Sequence, residues 1–128
     1  MSTVYLDTHA AVFLYAGLEE KLPVGILDFI NSHETLISPM VELEIQYLFE
    51  VGRLKEKSAE IITGLVNLFD IHISQITCAQ VIRQALDETW TRDVFDRMIV
   101  AEARLNKCPL LSKDRLITKH YDKTIWDL

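Results

Sequence analysis

Apolar residues in this chain gather in short runs separated by longer amphipathic stretches. Val4-Tyr5-Leu6 predicts a buried strand. Thr8 to Tyr15 predicts a helix that Ala16-Gly17 stops. Pro23 opens a second helix over Val24 to Asn31, since proline is tolerated in a first turn. Thr35 to Ile37 is strand-like, and Ser38-Pro39 then starts a third helix, Met40 to Glu50, ended by Gly52. Lys57 to Phe69 predicts a fourth, Ile71 to Ile73 a strand, and Ala79 to Leu86 another helix. Asp87 to Asp93 is polar and loop-like. Val94 to Asn106 reads as a helix broken before Pro109, Leu110-Leu111 as a strand, Arg115 to His120 as a short helix, and Thr124 to Trp126 as an edge strand. Short strands alternating with helices predict an α/β fold: a mainly parallel sheet with helices on both faces, in one domain over residues 1–128.

Four acids interrupt this pattern. Placed on a wheel at about 100° per residue, Met40, Val41, Leu43, Ile45, Tyr47 and Leu48 share one arc, and Glu44 falls in its middle. Glu42, Gln46 and Glu50 make the polar face. A lone carboxylate in an apolar arc costs several kcal/mol unless it is paired, protonated or bound to metal. Glu44 is therefore either a metal ligand or one half of a buried salt bridge. Asp96 borders Ile99, Val100 and Ala103 near a helix start, which suits a cap and a ligand equally. Asp7 closes the first strand and Asp114 follows Leu110-Leu111, so each can cap the next helix or line the crevice beyond the strand ends. Asp93 is assigned mainly to capping. Thr8 and Ser112 stand beside the acids and can orient them. Arg92, Arg97, Lys113 and Arg115 flank Asp96 and Asp114 as candidate phosphate contacts or as solvated charge.

The remaining chemistry is narrowed by composition. At 128 residues, with 49% hydrophobic and 25% charged, the chain is long enough to bury a core without staples. Cys78 and Cys108 show no metal spacing and predict free thiols in a reduced, cytoplasmic protein. No apolar stretch approaches membrane length, and Met1-Ser2-Thr3 is no basic leader. His9, His33, His72 and His120 lack zinc spacing. An all-oxygen donor set favours Mg²⁺ or Mn²⁺. A net charge of −6 argues against a basic, sequence-independent grip on nucleic acid.

Four segments carry a family resemblance: YLDTHAAVFLY (5–15), LISPMVELEIQYL (36–48), RDVFDRMIVAEA (92–103) and LLSKD (110–114). Together they resemble PIN-domain ribonucleases, specifically the small VapC-type toxins of bacterial toxin–antitoxin pairs. The resemblance places Asp7, Glu44, Asp96 and Asp114 as the family's four acids, in order, and makes them the catalytic, metal-holding set. Thr8, Asp93, Arg97, Ser112, Lys113 and Arg115 are then candidates to orient that set or to contact RNA. The resemblance also implies a Mg²⁺- or Mn²⁺-dependent endoribonuclease acting on structured RNA such as tRNA or rRNA, a cognate antitoxin as partner, and a homodimer. Glu102 departs from the family's usual uncharged residue, but lies well round the helix from Asp96. The rival class is a non-hydrolytic Mg²⁺-binding α/β signalling or binding domain. The helix-borne Glu44 disfavours that class, and His9 removes the aspartate pair of a haloacid-dehalogenase phosphatase.

Overall fold

A computed structural model describes residues Met1 to Leu128. The elements run β1 (Thr3–Leu6), α1 (Thr8–Ala16), a 3-10 turn (Glu19–Lys21), α2 (Ile26–Asn31), β2 (Glu34–Ile37), α3 (Pro39–Glu50), α4 (Ser58–Phe69), β3 (His72–Ile73), α5 (Cys78–Ala85), α6 (Val94–Leu105), β4 (Leu110–Leu111), α7 (Arg115–His120) and β5 (Thr124–Ile125). The strands form one sheet in the order β3-β2-β1-β4-β5, every neighbour parallel. Thus the α/β reading holds. No helix is long and apolar enough to cross a membrane.

Two departures from the sequence reading have clear causes. The second helix begins at Ile26 and not at Val24, because Gly25 takes a left-handed φ of 85° that no helical turn can include. Pro23 therefore belongs to the preceding turn. On α3 the apolar arc is only partly core: Val41 and Ile45 are buried, whereas Leu43 is 55% and Tyr47 49% exposed. Glu44 consequently stands on the border between the core face and an exposed apolar flank, not in the middle of packed side chains.

The order of the strands places the site. From β1 the chain steps to β2 and β3, then returns to the other side of β1 for β4 and β5. Right-handed crossovers put the helices of these two directions on opposite faces. The direction reverses between β1 and β4, and a ligand crevice is expected beyond the carboxyl ends of such a pair. Leu6, Leu110 and Leu111 are fully buried there, so the residues that follow leave the core at fixed points. Helix α3 packs against both α1 and α6, and this closes two walls around that end of the sheet.

Candidate active site

Asp7 is the first residue beyond β1 and is only 1% exposed. Its Oδ1 accepts from the Thr8 amide at 2.6 Å, so it does cap α1. Its Oδ2 accepts the Ser112 hydroxyl at 2.6 Å and lies 3.4 Å from His9 Nε2. The same Ser112 hydroxyl accepts the Asp114 amide at 3.1 Å. One buried serine after β4 thereby ties the ends of β1 and β4 together. Asp114 caps α7 through Ile117 N at 2.9 Å, and Asp93 caps α6 through the Asp96 amide at 3.0 Å. Capping does not take these acids out of the site's field: the charges of Asp93 and Asp114 both act on Asp96.

Glu44 reaches the crevice from α3, where its Oε1 accepts the Thr8 hydroxyl. The ion pairs of the chain are His9–Asp7, His72–Asp70 and Arg104–Glu88. Glu44 thus has no lysine or arginine partner, which removes the salt-bridge reading. Asp96 enters from the first turn of α6, half-buried.

These side chains share one electrostatic field. Burial pushes the Asp96 carboxyl up to about 7, and the charges of Asp93, Asp7, Glu44 and Asp114 push the same way. Burial also raises Glu44; the Thr8 hydrogen bond opposes this, while the charges of Asp7 and Asp93 add to it. Burial raises Asp7 as well, against His9, Ser112 and the Thr8 amide and with the charge of Asp114. The four acids of the sequence analysis, with Asp93, thus act on one another through their charges. As they stand, no three His, Cys, Asp or Glu side chains are gathered in metal-holding positions. The donor set nonetheless fits a hard divalent cation: it is all oxygen, desolvated, mutually repelling and without a basic side chain other than His9.

The flanking candidates divide. The Thr8 hydroxyl donates to Glu44 and the Ser112 hydroxyl to Asp7. Arg97 does not face the site as a phosphate contact. Its Nε donates to Ala85 O at 2.8 Å and its Nη2 to Leu86 O at 3.4 Å, closing the end of α5. Lys113 and Arg115 are exposed beside Asp114. His9 is the residue that sequence reasoning passed over. It lacks zinc spacing and rules out a second aspartate at that position, whereas the signal for its role is its place two residues after a strand-ending acid.

A family model described as PIN domain matches residues 4–123. Among solved structures, the chain is similar to one in the crystal structure of VapBC2 from Rickettsia felis bound to a DNA fragment from their promoter. The two share 17% identity with a TM-score of 0.58, over 98% of this chain and 99% of that one. At that identity the likeness is one of fold. No curated protein matches the sequence.

Proposed function

The chain belongs to the PIN-domain family, and from that premise we propose that it is a VapC-type toxin, a Mg²⁺- or Mn²⁺-dependent endoribonuclease that hydrolyses structured RNA such as tRNA or rRNA. The observation that carries this reading is the meeting of Asp7, Glu44, Asp96 and Asp114 in one field at the switch point, with no lysine or arginine paired to any of them. These four would hold the cation. Bound there, the ion would lower the pKa of a water and offset charge on the phosphodiester.

The protein's own groups do the positioning. Thr8 fixes Glu44, Ser112 fixes Asp7 against the end of β4, and Asp93 sets the first turn of α6 that presents Asp96. Burial and the neighbouring acids raise Asp96 to about 7, and a bound cation would favour its ionised form. A cytoplasmic enzyme of this kind needs restraint, and the VapBC2 neighbour supports an antitoxin partner. The exposed Leu43 and Tyr47 on α3 and Leu68 on α4 supply apolar surface for a homodimer. Purified protein should degrade RNA with Mg²⁺ or Mn²⁺ and stop on EDTA. Its expression should arrest a bacterial host, and co-expression of the antitoxin should relieve the arrest. Undiminished cleavage in EDTA refutes the metal reading, and normal growth with abundant soluble protein refutes the toxin reading.

A further inference from the structure

Phe13 lies one helical turn beyond His9 on α1, and three side chains collect on its ring. The His9 imidazole stacks on it, with centroids 6.4 Å apart and 30° between the planes. The Lys113 ammonium lies 4.9 Å from the ring centroid and that of Lys21 5.4 Å. The four residues come from α1, the 3-10 turn and the loop between β4 and α7. The cluster is continuous with the acids at both ends. His9 Nε2 is 3.4 Å from Asp7 Oδ2, and Lys113 stands between Ser112 and Asp114. Neither lysine is in an ion pair. His9, Lys21 and Lys113 are exposed, and Phe13 is half-buried.

Asp7, Glu44, Asp93, Asp96 and Asp114 repel a polyanion over roughly a Debye length, about 8–10 Å. A bound cation offsets this at the scissile phosphate, but the flanking phosphates need cations of their own. Arg97 is committed to the carbonyls of Ala85 and Leu86, and Arg92 donates to Thr89 O at 3.0 Å. Lys21 and Lys113 are held only by the half-buried Phe13 ring. Contacts of that kind are weak and exchange readily for phosphate oxygens. The exchange frees the Phe13 face, and an aromatic face beside a cationic track is how single strands are held without reading sequence.

We propose that His9, Phe13, Lys21 and Lys113 form the seat of the RNA strand beside the scissile phosphate, with Phe13 stacking a base and the two lysines holding phosphates. The proposal rests on the ribonuclease reading and adds which surface the substrate uses. The test measures anisotropy of fluorescein-labelled oligouridylate with Mg²⁺, on an Asp96→Asn background so that the probe stays intact. Lys21→Gln with Lys113→Gln should lower the slope of log affinity against log salt by about 1.4, at about 0.7 per phosphate contact. Phe13→Leu should weaken binding about fivefold or more, the low end for one lost base stack, and leave that slope unchanged. Lys107→Gln with Lys123→Gln, at the opposite ends of β4 and β5, should change neither. Thermal melts confirm that each variant folds.

Equal slopes for the two lysine pairs, or a Phe13→Leu affinity equal to that of its parent, overturn the seat; a patch that serves a protein partner gives that result. In the active chain the same substitutions should raise KM. RNA cleavage with KM unmoved by them leaves the ribonuclease reading standing and removes the seat. A chain that binds the probe through these residues yet cleaves no RNA with either metal keeps the seat and removes the ribonuclease reading.

Discussion

Glu88 is a buried carboxylate that carries its own cation, whereas Asp96, on the helix that begins just beyond it, is a half-buried carboxylate that has none. Glu88 accepts from Arg104 Nε at 2.7 Å and Nη2 at 3.2 Å, from Trp90 Nε1 at 2.9 Å and from Gln84 Nε2 at 3.0 Å. Burial alone would raise its carboxyl, but these hydrogen bonds and the Arg104 charge outweigh burial and hold it below the ordinary range. Arg104 in turn donates to His120 O at 2.7 Å and lies over the Tyr121 ring, so the pair joins the loop before α6 to α6 itself and to α7. In the crevice, burial and neighbouring acids act in the same direction on Asp96 and nothing cancels them. The contrast separates two uses of a desolvated acid: one is satisfied inside the fold, the other is left for a ligand.

The sharpest way to break this comparison is to take the cation from Glu88. Arg104→Met keeps the apolar stem but leaves a buried carboxylate unpaired, which should cost about 3–5 kcal/mol. Chemical denaturation should show the loss, and activity per folded molecule should stay near that of the parent. A variant as stable as its parent would make the Glu88 network ornamental and would remove the distinction drawn from it.

Asp96→Asn should do the reverse. Loss of one charge-stabilising group typically lowers turnover by about 10²–10³-fold. Yet in EDTA the variant should melt at or above the parent's temperature, because one of several like charges is gone. Glu44→Gln should behave the same way. A large drop in its melting temperature would mean that Glu44 supports the fold, contrary to its lack of a cationic partner.

What the sequence made legible follows from what each element depends on. Helix ends set by local chemistry, such as Ser38 before α3, Gly17 after α1 and Asp93 before α6, were readable because the capping atoms lie within a few residues. Three of the four acids were readable because two follow strands and one interrupts an apolar arc; Asp96, at a helix start beside the core, suited a cap as well as a ligand. The Arg97 contact was not, because its acceptors belong to a different helix, α5. Nor was the burial of Glu102, which is 1% exposed and accepts the Ser74 hydroxyl. A wheel shows which side a residue faces, but not whether a neighbouring hydroxyl makes burial there tolerable. The exposure of Leu43 and Tyr47 was missed for the same reason: an apolar arc says nothing about which part of it another element covers.

The smallest expected effect is also the one that sets the two regions in opposition within a single experiment. Asp96 has an unfolded value near 3.8 and a folded value of about 7, so folding favours its protonated form. Its contribution to stability is fully present below pH 3.8 and is lost as pH rises toward 7. Glu88, held below its ordinary 4.5, contributes fully above that pH and loses its contribution as pH falls through the lower folded value. Melts of the apo protein in EDTA should therefore decline from about pH 4 to 7, with the raised Asp7 and Glu44 acting in the same direction as Asp96. Asp96→Asn should make that limb shallower and leave the acid limb unchanged. Saturating Mg²⁺ should flatten the same limb by another route, since a cation stabilises the ionised form that burial opposes. If the neutral limb is identical in parent and Asp96→Asn, the crevice acids do not share the field described here, and the contrast with Glu88 reduces to a difference in burial alone.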